Sequence, residues 1–353
     1  MTRGRFEISA SVLGFVAGLS LFGPVGCGGA PDQETSPLLN VPGATTERLG
    51  GNPTLTFVPP SAEVERIMSA LSSATPAAAT VSRSVSVFYP KPGQPADGLC
   101  WQGLTSDSAG NIYPVANAGI SKLDRHAKII NGRDDTNFFA AENFSPWGVI
   151  DQAVGKLFAV SLKTVRSAPF QAGATFSDLI SGLQTQGEAV AIGRGSLAGS
   201  LFVTDAGASR VYRVKLNPLS LKVFASGALF NVPEAIASAP DGTLYVVNVG
   251  SISEPAGRAL LKINVHGTVS VFARAADTTA RRMLAVDSEG TVFWSSARGI
   301  DRFRPDGTRL SPLPGPPDQA AFENPMGAAF DPQDSLYVVE NFGCKKIYKY
   351  TER

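Results

Sequence analysis

The stretch Ala235-Ile236-Ala237-Ser238-Ala239-Pro240-Asp241-Gly242-Thr243-Leu244-Tyr245-Val246-Val247-Asn248 decides the fold. It reads as an apolar strand, a tight turn and a second, fully apolar strand. Gly242 tolerates the positive φ of a hairpin turn, and Asp241 can cap the turn with its own side chain. The same phrase returns five more times. It is seen as Gly103-Leu104-Thr105-Ser106-Asp107 with Gly110-Asn111-Ile112-Tyr113, and as Gly148-Val149-Ile150-Asp151 with Leu157-Phe158-Ala159-Val160. It recurs as Ala189-Val190-Ala191-Ile192 with Leu201-Phe202-Val203-Thr204-Asp205, and as Leu284-Ala285-Val286-Asp287 with Val292-Phe293-Trp294. The last copy is Gly327-Ala328-Ala329-Phe330-Asp331 with Leu336-Tyr337-Val338-Val339. Copies start about 40–48 residues apart, the period of propeller blades. The expected fold is therefore all-β: a six-bladed β-propeller of four-stranded antiparallel blades over residues 81–353.

The ends of the array predict how the ring closes. The last blade runs through 328–330, 336–339 and 346–350, and its fourth strand does not follow. Ahead of the first blade stands a strand without a blade, Val85-Ser86-Val87-Phe88. It repeats Val269-Ser270-Val271-Phe272, a fourth strand, letter for letter. The N-terminal strand is thus expected to complete the C-terminal blade, removing the open edges of a linear array.

The chain of 353 residues is 43% hydrophobic, with 36 Gly and 25 Pro, as a turn-rich all-β protein requires. Its formal charge of +1 provides no basic field for nucleic acid or an anionic membrane surface. Residues 1–26 read as a targeting segment, with Arg3 and Arg5 ahead of the short apolar run Val12–Phe22. Loss of that segment removes Arg3, Arg5 and Glu7 and brings the charge to zero. Pro24-Val25-Gly26-Cys27-Gly28-Gly29 resembles a bacterial lipobox, which implies lipid on Cys27; the other reading is an ordinary signal peptide. Gly28 after the Cys suggests the outer membrane, so the expected location is the cell envelope, with the membrane contacted through the lipid alone. Residues 27–80 read as a tether with a short helix near 61–72, where Val64, Ile67, Met68 and Leu71 share a face. With Cys27 lipidated, Cys100 and Cys344 remain. Both fall in loops of one propeller face on neighbouring blades, and a Cys100–Cys344 disulfide is expected; the other reading is two free thiols. A monomer is expected.

Chemistry is expected at the central mouth, where strands of the innermost layer enter and the second strands leave. The entry positions are Trp101 and Gln102, Trp147, Glu188, Glu234, Arg282 and Met326. The exit positions are Ala116, Ser161, Asp205, Asn248, Ser296 and Glu340, with Asn117 and Asn341 one step later. Glu188, Asp205, Glu234 and Asn248 offer oxygens to a hard cation such as Ca²⁺, and a free carboxylate, Asp205 or Glu188, would act as base. The other reading is that these residues cap strands or pair with Arg282. Trp101 and Trp147 can form an aromatic wall for a ligand or pack between blades, and Gln102, Asn117, Ser161, Arg282, Ser296 and Glu340 complete the ligand-facing set. The turn residues Asp107, Asp151, Asp241, Asp287 and Asp331 recur as backbone caps. His126 and His266 fall in turns at the far end, which excludes a Ser/His/Asp arrangement at the mouth.

The phrases Pro240-Asp241-Gly242-Thr243-Leu244-Tyr245-Val246 and Asp331 with Leu336-Tyr337-Val338 resemble the superfamily of six-bladed propellers that includes SMP-30/gluconolactonase-like and NHL-repeat proteins. The resemblance implies hydrolysis of lactones or esters with a divalent metal held by Glu, Asn and Asp, here Glu188 or Glu234, Asn248 and Asp205. Trp101-Gln102-Gly103 stands where that branch presents a Glu. Two functions follow as expectations: a ligand- or partner-binding propeller, and a metal-dependent hydrolase.

Overall fold

The computed structural model describes residues 83–90, 101–116, 119–131, 148–250, 258–275, 282–296, 299–319, 322–340 and 346–352. The targeting segment, Cys27, the tether with its segment 61–72, Cys100, Asn117, Trp147, Asn341 and Cys344 lie outside the described residues. The chain opens with β1 (Arg83–Tyr89) and continues with β2 (Gly103–Ser106), β3 (Ile112–Ala116), β4 (Gly119–Ile120), β5 (Lys122–Leu123) and β6 (Ile129–Asn131). The second blade is β7 (Val149–Asp151), β8 (Lys156–Ser161), β9 (Thr164–Pro169) and β10 (Ser177–Ser181). The third is β11 (Gly187–Ile192), β12 (Ser200–Asp205), β13 (Arg210–Leu216) and β14 (Leu219–Ser226). The fourth is β15 (Pro233–Ser238), β16 (Leu244–Asn248), β17 (Ala259–Ile263) and β18 (Val269–Arg274). The fifth is β19 (Leu284–Val286), β20 (Val292–Ser296), β21 (Gly299–Phe303) and β22 (Arg309–Leu313). The sixth is β23 (Pro325–Phe330), β24 (Leu336–Glu340) and β25 (Lys346–Glu352).

The sixth sheet has the order β1-β25-β24-β23, so the N-terminal strand completes the last blade as the repeated Val-Ser-Val-Phe predicts. The pairing runs antiparallel from Arg83 opposite Glu352 to Tyr89 opposite Ile347. The innermost strands touch in the cycle β2, β7, β11, β15, β19, β23 and back to β2, which closes the ring. Six buried apolar clusters result, one between each pair of adjoining blades. This explains the unbroken apolar runs of the second strands. β12, β16 and β24 are buried along their whole length because a neighbouring blade covers each face. At the closure, Phe88 meets Tyr337 edge-on at 4.9 Å, and Gly327 leaves room for the next blade. A Cβ there would stand 2.7 Å from the Gly103 backbone.

The turn aspartates cap backbone as expected. Oδ1 of Asp107, Asp287 and Asp331 each accepts two amide hydrogens of its own turn. The repeated Tyr of the second strand reaches back to the same group: Tyr113 Oη donates to Asp107 at 2.8 Å and Tyr337 Oη to Asp331 at 3.1 Å. Burial, followed by the nearby aspartate in each case, pushes both phenols well above their ordinary range. The blade phrase is thus a hydrogen-bonded unit as well as an apolar pattern. His126 and His266 are exposed turn residues at this end, with their amides bonded to Asp124 and Asn264.

Candidate functional site at the mouth

One irregularity shapes the mouth. In the third blade Gly187 faces Asp205 and Val190 faces Val203, so Glu188 and Ala189 together oppose Thr204. The same two-against-one bulge places Glu234 and Ala235 opposite Val247, and Met326 and Gly327 opposite Val339. A bulge re-aims its side chains and ends regular pairing. Thr204 secures the arrangement by accepting from the Ala189 amide at 3.0 Å and donating to the Glu234 carbonyl at 2.8 Å, across to the next blade.

The bulge separates entry residues from exit residues. The exit residues turn back into their own blades. Asp205 is fully buried and accepts from the Thr185 amide at 3.0 Å, the Thr185 hydroxyl and the Ala208 amide at 3.2 Å. Asn248 Nδ2 donates to the Leu229 carbonyl at 2.6 Å. Glu340 accepts from the amides of Glu323 at 2.9 Å and Asn324 at 2.8 Å, and from Gln319 Nε2 at 3.4 Å. All three fasten the segment leading into the innermost strand to the end of the second strand. Ser296 donates to the Gly299 carbonyl at 3.2 Å, closing its own hairpin.

The entry residues behave differently. Glu234 and Arg282, from the fourth and fifth blades, form an ion pair at 2.8 Å with side chains 12% and 38% exposed. Burial pushes the Glu234 carboxyl up, the Arg282 charge offsets part of this, and the negative charge of Glu188 from the third blade adds to it. The result is a pKa of about 7. Five buried polar atoms at the mouth ends of the fourth and fifth blades have no hydrogen-bond partner among the described residues. They are Glu234 Oε2, Asn248 Oδ1, Arg258 Nη1, Arg282 Nε and Ser295 Oγ. The Glu234–Arg282 contact is close enough for an ion pair, but its angles miss hydrogen-bond alignment. Buried polar groups are ordinarily satisfied, so such a concentration needs an explanation.

The structure brings Glu188, Glu234 and Arg282 together. Sequence reading did not single out Ser295 or Arg258, whose Nε donates to the Val249 carbonyl at 3.0 Å. The Gln102 amide pairs with the Val115 carbonyl at 2.8 Å, and Ser161 lines a groove of about 520 Å³ beside Lys163, Arg166 and Thr185. Trp101 corrects the expected aromatic wall: it is 1% exposed and packs against Tyr89 at 5.1 Å, inside the core between the first and sixth blades.

Two of the four residues expected to hold a cation are otherwise engaged. Asp205 has both oxygens engaged by donors, and Glu234 faces a guanidinium. Among the described residues no group of three His, Cys, Asp or Glu side chains is placed to hold a metal ion.

No family model matches the chain, and no curated protein matches it in sequence. Solved structures do match. A gluconolactonase from Xanthomonas campestris superposes with a TM-score of 0.56 at 15% identity, over 77% of this chain and 90% of its own. A streptogramin B lyase gives 0.54 at 16% identity, over 77% of this chain and 98% of its own. A calcium structure of a Trichoderma reesei carbohydrate-active enzyme of family AA12 gives 0.55 at 10% identity, over 77% of this chain and 96% of its own. At these identities the likeness is one of fold, and the chain is a six-bladed β-propeller.

Proposed function

We propose that this protein is an exported, lipid-anchored propeller that binds a small polar molecule at the mouth over its third to fifth blades. The observation that carries the reading is three buried polar atoms without a partner among the described residues, Asn248 Oδ1, Arg258 Nη1 and Ser295 Oγ, on the same two blades as the buried Glu234–Arg282 ion pair. Arg258, Arg282 and Ser295 offer donors, and Glu234 and Asn248 offer acceptors. A molecule with several hydroxyl or carbonyl groups on one ring answers both. Anchoring through Cys27, a Cys100–Cys344 disulfide, a monomeric state and a cell-envelope location belong to the same proposal, with no nucleic acid among the partners. The test is calorimetric titration of the mature protein with sugars, aldonates and lactones. A binder is expected to lose at least tenfold in affinity in Ser295→Ala and Arg258→Met; equal affinity in both variants would overturn the assignment.

A second reading, hydrolysis of a lactone or ester, is favoured by the Glu234 pKa of about 7. Such a group takes a proton from water at neutral pH and returns it to a leaving alkoxide. Activity should then rise through about pH 7 and vanish in Glu234→Gln. A Ca²⁺ titration of chelator-treated protein checks the cofactor implied by the resemblance. The present donor arrangement predicts no stoichiometric heat.

A further inference from the structure

We propose that the free edge of the third blade, strand β14, is a docking site for an extended peptide in which acidic and aliphatic residues alternate. β14 is the outermost strand of its sheet, and its outer row of backbone N–H and C=O groups pairs with no described strand. From Leu219 to Val223 it pairs with β13 residue for residue, unbroken by a bulge. Three other outer strands carry features that discourage further pairing: β6 has three residues, β10 bulges beside Asp178, and β22 contains Pro312. β14 has none of these over that stretch. It exposes Leu219 and Val223, each 47%, and among the described residues no other strand exposes two large aliphatic side chains.

The edge presents two chemically distinct rows. Leu221 packs against the apolar cluster between the second and third blades, and Leu219 and Val223, two residues to either side, share its face. Lys222 stands opposite Arg213, and Ser220 opposite Lys215, on the other face, where the Arg213 guanidinium lies 5.8 Å from the Phe202 ring centre. Between Asp205 and Glu234 the chain carries Arg210, Arg213, Lys215 and Lys222 and no acidic residue. None of these four forms an ion pair with a described residue. Arg210 and Arg213 donate through Nε to neutral groups, the Ala208 carbonyl and the Ser200 hydroxyl.

A strand added outside β14 continues the alternation of the sheet. Its side chains on one face meet Lys222, with Arg213 behind it, and those on the other meet Leu219, Leu221 and Val223. Carboxylates complement the first row and aliphatic side chains the second. The unpaired backbone row selects a peptide over an anionic lipid surface, which has no ladder of donors and acceptors to match it. The basic row also disfavours a second copy of this chain: antiparallel pairing of two β14 edges keeps each face on its own side and sets one basic row beside the other.

The experiment is a fluorescence-anisotropy titration of fluorescein-labelled Thr-Val-Glu-Val-Glu-Val-Thr-amide with the full mature chain. The controls are the shuffled peptide Glu-Glu-Thr-Thr-Val-Val-Val, the peptide with Lys for Glu, and two forms N-methylated on alternate residues, one in each phase. The alternating acidic peptide should bind about tenfold more tightly than the shuffled and lysine peptides. One methylated form should bind at least about tenfold more weakly than the other, because only one edge of the peptide faces β14. Lys222→Glu should weaken the acidic peptide about tenfold and strengthen the lysine peptide, a reversal that no folding defect produces. Val223→Thr should weaken both peptides, and Ser295→Ala should leave them unchanged, which separates this edge from the mouth. Equal binding of the alternating and shuffled peptides, equal binding of the two methylated forms, an unaltered Lys222→Glu or the absence of binding would overturn the proposal. So would binding of phosphatidylglycerol vesicles in place of the peptide, or a dimer in sedimentation that Val223→Thr dissociates.

Discussion

Glu234 should make the protein less stable as pH rises towards neutrality. Its protonated form suits the folded state better than its ionised form, because burial withdraws water from the carboxylate, Arg282 offsets only part of that cost and Glu188 adds repulsion. Between the ordinary value of 4.5 and about 7, the folded protein holds a proton that the unfolded chain has released. Stability from this group is therefore fully present below pH 4.5 and is lost as pH rises through about 7, after which the curve is flat. At about 1.4 kcal/mol per pH unit, a window of about 2.5 units corresponds to a loss of roughly 3–4 kcal/mol. The assay is urea unfolding followed by tryptophan fluorescence at half-unit steps from pH 4 to 8, on wild type and Glu234→Gln. Carboxylates remote from Glu234 contribute equally to both proteins, so the difference between the two curves isolates this residue together with its coupling to Glu188. That difference should change by roughly 3–4 kcal/mol across the window. Glu188→Gln should narrow the window and Arg282→Met should widen it. Parallel wild-type and Glu234→Gln curves would refute the account of a desolvated mouth carboxyl.

Three further outcomes test the remaining structure. Asp205→Ala should cost about 2–3 kcal/mol, because it strands the Thr185 and Ala208 amides that it now accepts from, and should leave any Ca²⁺ response unaltered; chemical denaturation and calorimetry read both. Phe88→Ala should cost about 3–5 kcal/mol, since the ring fills the closure seam against Tyr337, and unfolding should stay a single transition if the two ends are one cooperative unit. Gly327→Ala should destabilise by about 1–3 kcal/mol, read as a lowered Tm, because its Cβ would run into the Gly103 and Leu104 backbone where no flexible side chain can move aside.

Much of the fold is legible in the chain because its determinants are local. The turn chemistry of Asp241-Gly242, the apolar Leu-Tyr-Val-Val run and the duplicate Val-Ser-Val-Phe each report a contact that any blade of this kind must make. The mouth is less legible. Asp205, Asn248 and Glu340 look like a ring of ligands when aligned by the repeat, yet each hydrogen-bonds within its blade, to Thr185, Leu229 and Glu323 with Asn324 respectively. Choice of partner by a short polar side chain depends on loop geometry that no repeat encodes. Arg258 and Ser295 escape notice for a related reason: neither occupies a repeated functional column.

By itself, then, the sequence determined the repeat, the six blades, the strand that closes the ring and the capping role of the turn aspartates, since all follow from periodicity and turn chemistry within a few residues. Only the tertiary structure decided which carboxylates are spent on the scaffold and which face the mouth. A one-residue bulge at Glu188 and Glu234 re-aims them, and the pKa of Glu234 depends on charges that three separate blades bring together.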